Sequence, residues 1–219
     1  MQWINRVFRD FRLYAVTDLN SHSQSGILRA VESAYIGGAD IIQLRSKNLP
    51  MSEKVRLGLA ISKIANRHKK LYFVNDSLSL ALLTSAHGLH VGQDDLPPKE
   101  VRRLCKKMKQ SLLLGLSTHS DAQAKRAQTE PIDYFAVGPV FATPTKLDYR
   151  SVGLGLVERV GRFAKKPWVA IGGIDLKNLD LVLEKGASRV AVVRAIFSAK
   201  SPELACRHFT QKLRGETDV

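Results

Sequence analysis

Gln43-Leu44-Arg45-Ser46-Lys47 sets an amide and two cations at alternate positions. On an extended strand such residues share a face. Together they suit a diphosphate and the polar edge of a heteroaromatic ring. The plainer alternative is that Arg45 and Lys47 carry their charges to water at a rim. Asn75-Asp76 and Asp94-Asp95 each follow a short apolar run, Asp95 being favoured over Asp94. Carboxylates at neighbouring strand tips are what Mg²⁺ takes, alongside waters and substrate phosphate oxygens. For either Asp alone a helix cap is the commoner role; the pair shifts the balance toward metal. Ser117-Thr118-His119 ends another run, and Thr143-Pro144-Thr145-Lys146 offers two hydroxyls and a lysine to an anion, or simply a turn. Gly172-Gly173 and Val193-Arg194 close the last two runs, where backbone N–H groups can approach a phosphate.

These residues need strands that end side by side. Runs rich in Val, Ile, Leu, Phe and Tyr span Phe11–Asp18, Ala39–Ser46, Lys70–Asp76, Gly88–Gly92, Ser111–Thr118, Tyr134–Phe141, Pro167–Gly173 and Arg189–Ile196. Each reads as a strand buried on both faces. Between them lie amphipathic stretches. Val101, Leu104, Cys105 and Met108 form one helical face; Leu176, Leu179, Val182 and Leu183 form another behind a cap at Asp175; Ser201-Pro202-Glu203 opens a last helix. Eight strand–helix units at about 27 residues each make a single-domain α/β chain, a (β/α)8 TIM barrel, with residues 1–10 as an N-terminal extension. An open doubly wound sheet is the competitor, but Thr17-Asp18-Leu19-Asn20 replaces the glycine-rich turn after the first strand.

The chain has 219 residues, 44% hydrophobic and 25% charged, which excludes a fibrous or disordered protein. No apolar stretch approaches bilayer length, and no secretory leader is legible, so the expected location is cytoplasmic with no membrane partner. Two cysteines, Cys105 and Cys206, make neither a disulfide framework nor a zinc cluster. A net charge of +14 draws anions, whether polymers or small phosphorylated metabolites. The cations of 102–109 read as a solvated helix face, and aromatics are too few at 7% to suggest specific nucleic-acid binding. His90 reads as a partly buried strand residue. Oligomeric state, including a homo-oligomer, is open.

Taken in order, six segments resemble thiamine phosphate synthases: Gln43–Lys47, Val74–Asp76, His90–Pro97, Ser117–His119, Gly138–Lys146 and Ala170–Ile174. The resemblance covers nearly the whole chain, from Leu13 to about Phe209. It implies a transferase that joins 4-amino-2-methyl-5-hydroxymethylpyrimidine diphosphate to a thiazole phosphate (or its carboxylate), releasing pyrophosphate. By similarity Gln43, Arg45, Lys47, Asn75, Ser117 and Lys146 hold the pyrimidine diphosphate, with Arg45, Lys47, Lys146 and Ser117 as the catalytic set. Asp76 and Asp95 hold Mg²⁺; Thr143, Thr145, Gly173, Val193 and Arg194 receive the thiazole phosphate. Arg194 departs from the serine many synthases carry there. The sister family of thiazole tautomerases is the alternative. His119 fits either, whereas the diphosphate and metal residues argue for the synthase.

Overall fold

The computed structural model describes residues 2–19, 24–46, 48–143 and 150–216. Side chains alternate along a strand, and the alternation sorts eight short strands into two apolar populations. The strands are β1 (Leu13–Val16), β2 (Ile41–Leu44), β3 (Leu71–Asn75), β4 (Gly88–Val91), β5 (Leu113–Thr118), β6 (Tyr134–Val137), β7 (Trp168–Ile171) and β8 (Val190–Val192). All neighbours pair in parallel, in chain order, and β8 returns to β1 with Ala191 opposite Tyr14. Tyr14, Val16, Ile41, Phe73, Tyr134, Ala136 and Val169 fill the cylinder; Leu13, Ala15, Ile42, Tyr72, Val74, Phe135 and Val137 pack outward beneath the helices.

The helices are α1 (Gln2–Asp10), α2 (Gln24–Ile36), α3 (Met51–Arg67), α4 (Leu78–Leu83), α5 (Pro98–Lys107), α6 (Asp121–Ala127), α7 (Gly153–Phe163), α8 (Leu179–Glu184), α9 (Arg194–Phe197) and α10 (Pro202–Arg214). Ser77, Ser120 and Ser201 cap α4, α6 and α10, each hydroxyl accepting an N–H three residues on. Pro98 and Pro202 open their helices, where a missing N–H costs nothing. Among the described residues no helix is long and apolar enough to cross a membrane.

Three departures from the sequence reading bear on how the site is built. The last strand ends at Val192, and Arg194–Phe197 turns into α9. Ile196 and Phe197 are the buried face of that helix and not a continuation of the strand. The sixth strand stops at Val137, because Gly138 and Pro139 lead the chain across β7, where the N–H of Val140 reaches the carbonyl of Ile171. Asp175 does not cap α8. Its carboxylate takes the N–H groups of Lys177 and Asn178 in the preceding turn, and α8 starts at Leu179.

Residues 2–10 of the extension form a helix with an apolar face. Trp3, Ile4, Val7 and Phe8 lie on one side of α1 and pack against the residues filling the cylinder. Trp3 meets His87 edge-on, and Phe8 stacks on Phe11 while touching Tyr134. This closes the end of the barrel from which the strands start. The other end stays open.

Candidate active site

At the C-terminal ends of the strands, where barrels carry their sites, lies a cavity of about 340 Å³. Gln43 and Arg45 reach it from β2, Asn75 from β3, Ser117 from β5, and Thr143, Gly173, Val193 and Arg194 from the loops after β6, β7 and β8. Eight of the residues singled out in the sequence thus line one cavity. Asp76 and Asp95 follow β3 and β4 and are not on its lining. Lys47, Thr145 and Lys146 lie outside the described residues.

Each placement has a local cause. Thr17, buried at the end of β1, clamps Arg45: its hydroxyl accepts the Arg45 N–H at 3.0 Å and donates to the Arg45 carbonyl at 3.2 Å. This anchors the Arg45 backbone just past the end of β2, where the residue lines the cavity. Asp76 sits at φ +62°, a left-handed conformation that Asp tolerates better than most residues. Its N–H donates to the His90 carbonyl at 2.8 Å, and its carboxylate accepts from the Asn75 amide. One oxygen of Asp95 accepts the Gly92 N–H at 2.7 Å. On the far wall Gly172 (φ +108°) and Gly173 (φ +63°) let the loop after β7 pass beneath Pro139. A Cβ on Gly172 would come within 2.4 Å of the proline backbone.

The floor is a line of hydrogen bonds that the sequence reading missed. The Gln43 amide nitrogen donates to Tyr14 Oη at 2.8 Å, and Tyr134 Oη donates to the same oxygen at 3.0 Å. His90 Nδ1 lies 2.8 Å from Tyr134 Oη, and His90 Nε2 lies 2.9 Å from Ser117 Oγ. All five side chains are buried, and all line the cavity. Burial pushes both phenols well above their ordinary range, so they stay protonated. The available signal was that Tyr14, His90 and Tyr134 are polar residues inside apolar runs; their partners, on other strands, carry no local mark. His119 lines the cavity too, its Nδ1 paired with the Gly138 carbonyl.

Arg45 and Arg194 are the cations of the described lining and Asp175 its carboxylate. The wall therefore favours anions, from two sides. Neither cysteine contributes: both are buried, and burial pushes the Cys206 thiol up to about 12.

A family model described as thiamine monophosphate synthase matches residues 13–196. The thiamine-phosphate synthase of Thermus thermophilus is 44% identical over 206 residues, spanning 93% of this chain and 98% of its own length. That of Streptomyces avermitilis is 41% identical over 207 residues, 94% of each chain. Among solved structures, a thiamine phosphate pyrophosphorylase from Pyrococcus furiosus superposes with a TM-score of 0.87 at 29% identity. That match covers 97% of this chain and 100% of the other. A closed eight-stranded barrel with an anion-favouring mouth, matched in sequence from β1 into α9, belongs to the thiamine monophosphate synthase family.

Proposed function

We propose that this chain, which makes thiamine phosphate, does so in the cavity above the Tyr14–His90 floor. The thiazole nitrogen attacks the methylene carbon of the pyrimidine diphosphate, the carbon–oxygen bond to the diphosphate breaks, and pyrophosphate leaves. Gln43, Asn75 and Ser117 hold the pyrimidine half; Arg45, with Lys47 and Lys146, meets the charge that grows on the departing diphosphate. Thr143, Thr145, Gly173, Val193 and Arg194 receive the phosphate of the thiazole. The nitrogen carries a free lone pair, so no strong base is required. Much of the remaining acceleration comes from holding nitrogen and carbon in line.

Asp76 and Asp95 offer hard oxygen donors, and Asp95 keeps one oxygen clear of its Gly92 bond. Such a set suits Mg²⁺, which accepts one or two carboxylates and completes its shell with water and phosphate oxygens. Among the described residues no three His, Cys, Asp or Glu gather into a self-sufficient metal site, so the diphosphate itself would supply ligands. Bound there, Mg²⁺ would neutralise charge on the leaving pyrophosphate. We place the reaction in the cytoplasm, where phosphorylated small molecules are its partners.

The observation that carries this reading is the two-sided wall: Gln43, Arg45 and Asn75 on one side, Gly173 and Arg194 on the other. The tautomerase alternative is not favoured, since the named relatives are synthases. Incubation with both substrates and Mg²⁺ should yield thiamine phosphate and pyrophosphate by mass spectrometry. Isomerisation of a thiazole carboxylate phosphate without condensation would overturn it.

A further inference from the structure

We propose that His90 is a positioning residue: with its proton on Nδ1 it fixes one direction for the five hydrogen-bonded side chains of the floor. The Tyr14 hydroxyl is then left as a donor, and Ser117 Oγ as an acceptor, toward a heteroaromatic ring that carries an amine. This rests on reading the cavity as the pyrimidine site.

The direction follows from counting protons. A phenol has one, and Tyr134 gives its proton to Tyr14. Facing His90 Nδ1 at 2.8 Å, Tyr134 Oη can therefore only accept, so Nδ1 carries a hydrogen. A neutral imidazole then has a bare Nε2. Ser117, 2.9 Å away, must donate to it. The serine proton is committed, and only lone pairs of its oxygen remain for a ligand. At the other end Tyr14 Oη accepts from both Gln43 and Tyr134. Its own proton has no acceptor among the described residues, although Tyr14 is only 2% exposed. A buried donor left unpaired is costly until a ligand supplies its acceptor. Two incoming bonds polarise that O–H and strengthen it as a donor.

A 4-aminopyrimidine supplies both partners. Its ring nitrogen can take the Tyr14 proton, and its amine can give a hydrogen to Ser117 Oγ. The polarity also bears on the chemistry. An acceptor on the amine increases electron donation into the ring, which eases departure of the diphosphate from the neighbouring methylene. With the direction reversed, Ser117 would present a proton there instead.

The test begins on the ligand-free protein and needs no activity. ¹⁵N spectra of histidine-labelled protein, with His90→Gln identifying the resonance, should show a protonated Nδ1 and a bare Nε2. A proton on Nε2, alone or in addition, overturns the proposal, because Ser117 would then be free to donate. Tyr134→Phe removes the acceptor of Nδ1 and should move the proton to Nε2; an unchanged tautomer also overturns it. Tyr14→Phe should weaken binding of 4-amino-5-hydroxymethyl-2-methylpyrimidine roughly three- to tenfold and leave inorganic pyrophosphate binding as it was. Equal loss for both probes, or no loss for the ring, counts against it. Failure of the condensation itself would leave the spectra untouched, so the two readings fail separately.

Discussion

Arg194 opens α9 with an exposed guanidinium on the cavity wall. A charge-assisted contact from it to the thiazole phosphate is of the order of 1.5–3 kcal/mol. Arg194→Ser should therefore raise the KM for thiazole phosphate roughly tenfold to a hundredfold and leave that for pyrimidine diphosphate alone. Steady-state kinetics with each substrate varied in turn decides it: no change in either places the side chain outside the site. Asp76 gives a second prediction through its backbone. Its left-handed φ costs about 1 kcal/mol, which Asp76→Gly relieves while adding a similar entropy to the unfolded chain. The melting temperature should stay within a few degrees, yet Mg²⁺-dependent turnover should collapse. EDTA should abolish wild-type activity until Mg²⁺ is restored. A variant that loses stability and activity in step would make Asp76 a structural cap instead. Residues such as Gln43, Arg45, Asn75 and Ser117 were legible because a polar side chain ending a buried strand stands out. Tyr14 and His90 were not, because Tyr14 finds its partner Tyr134 120 positions away.

Among the elements, strands were read most accurately where both faces are buried, since an apolar run then has no competing explanation. Their C-terminal ends were overextended in β6 and β8. There the chain stays apolar after leaving the sheet: Val140 is buried in the loop after β6, and Ile196 and Phe197 form the buried face of α9. Hydrophobicity marks burial and not the ladder. The helix α1 shows the opposite failure. Its apolar residues at 3, 4, 7 and 8 are interrupted by Arg6 and flanked by Arg9 and Asp10, and what they cover is the inside of the cylinder. Phe8→Ala should remove about 2 kcal/mol, because the ring is only partly buried, and lower the melting temperature by roughly 4–8 °C. The KM values should not move, as α1 lies at the end opposite the cavity. Calorimetry beside kinetics checks this; a KM shift for the pyrimidine substrate would mean that the contact of Phe8 with Tyr134 reaches the floor.

For the molecule as a whole, His87 is one source of sensitivity to acid. Its Nδ1 accepts the Tyr72 N–H at 3.0 Å, and burial lowers its pKa to about 4 from 6.5. The unfolded chain takes up this proton below about pH 6.5, whereas the folded chain resists until about 4. Stability present above pH 6.5 is thus lost as pH falls toward 4, by on the order of 3 kcal/mol. Urea titrations at about pH 7, 5.5 and 4.5 should show the loss, and His87→Gln should flatten it; an equal slope in the variant would assign the loss to carboxylates. Both arms of the chain gather at this same end. Arg12, leading into β1, donates to the Leu213 carbonyl in α10, and Arg189, leading into β8, donates to the Arg9 carbonyl in α1. Anything joined before α1 or after α10 consequently begins roughly 15 Å from the mouth, a strand's length away. Beads, affinity handles or a second enzyme fused on that side leave substrate entry unobstructed, so immobilised protein should turn over as fast as protein in solution.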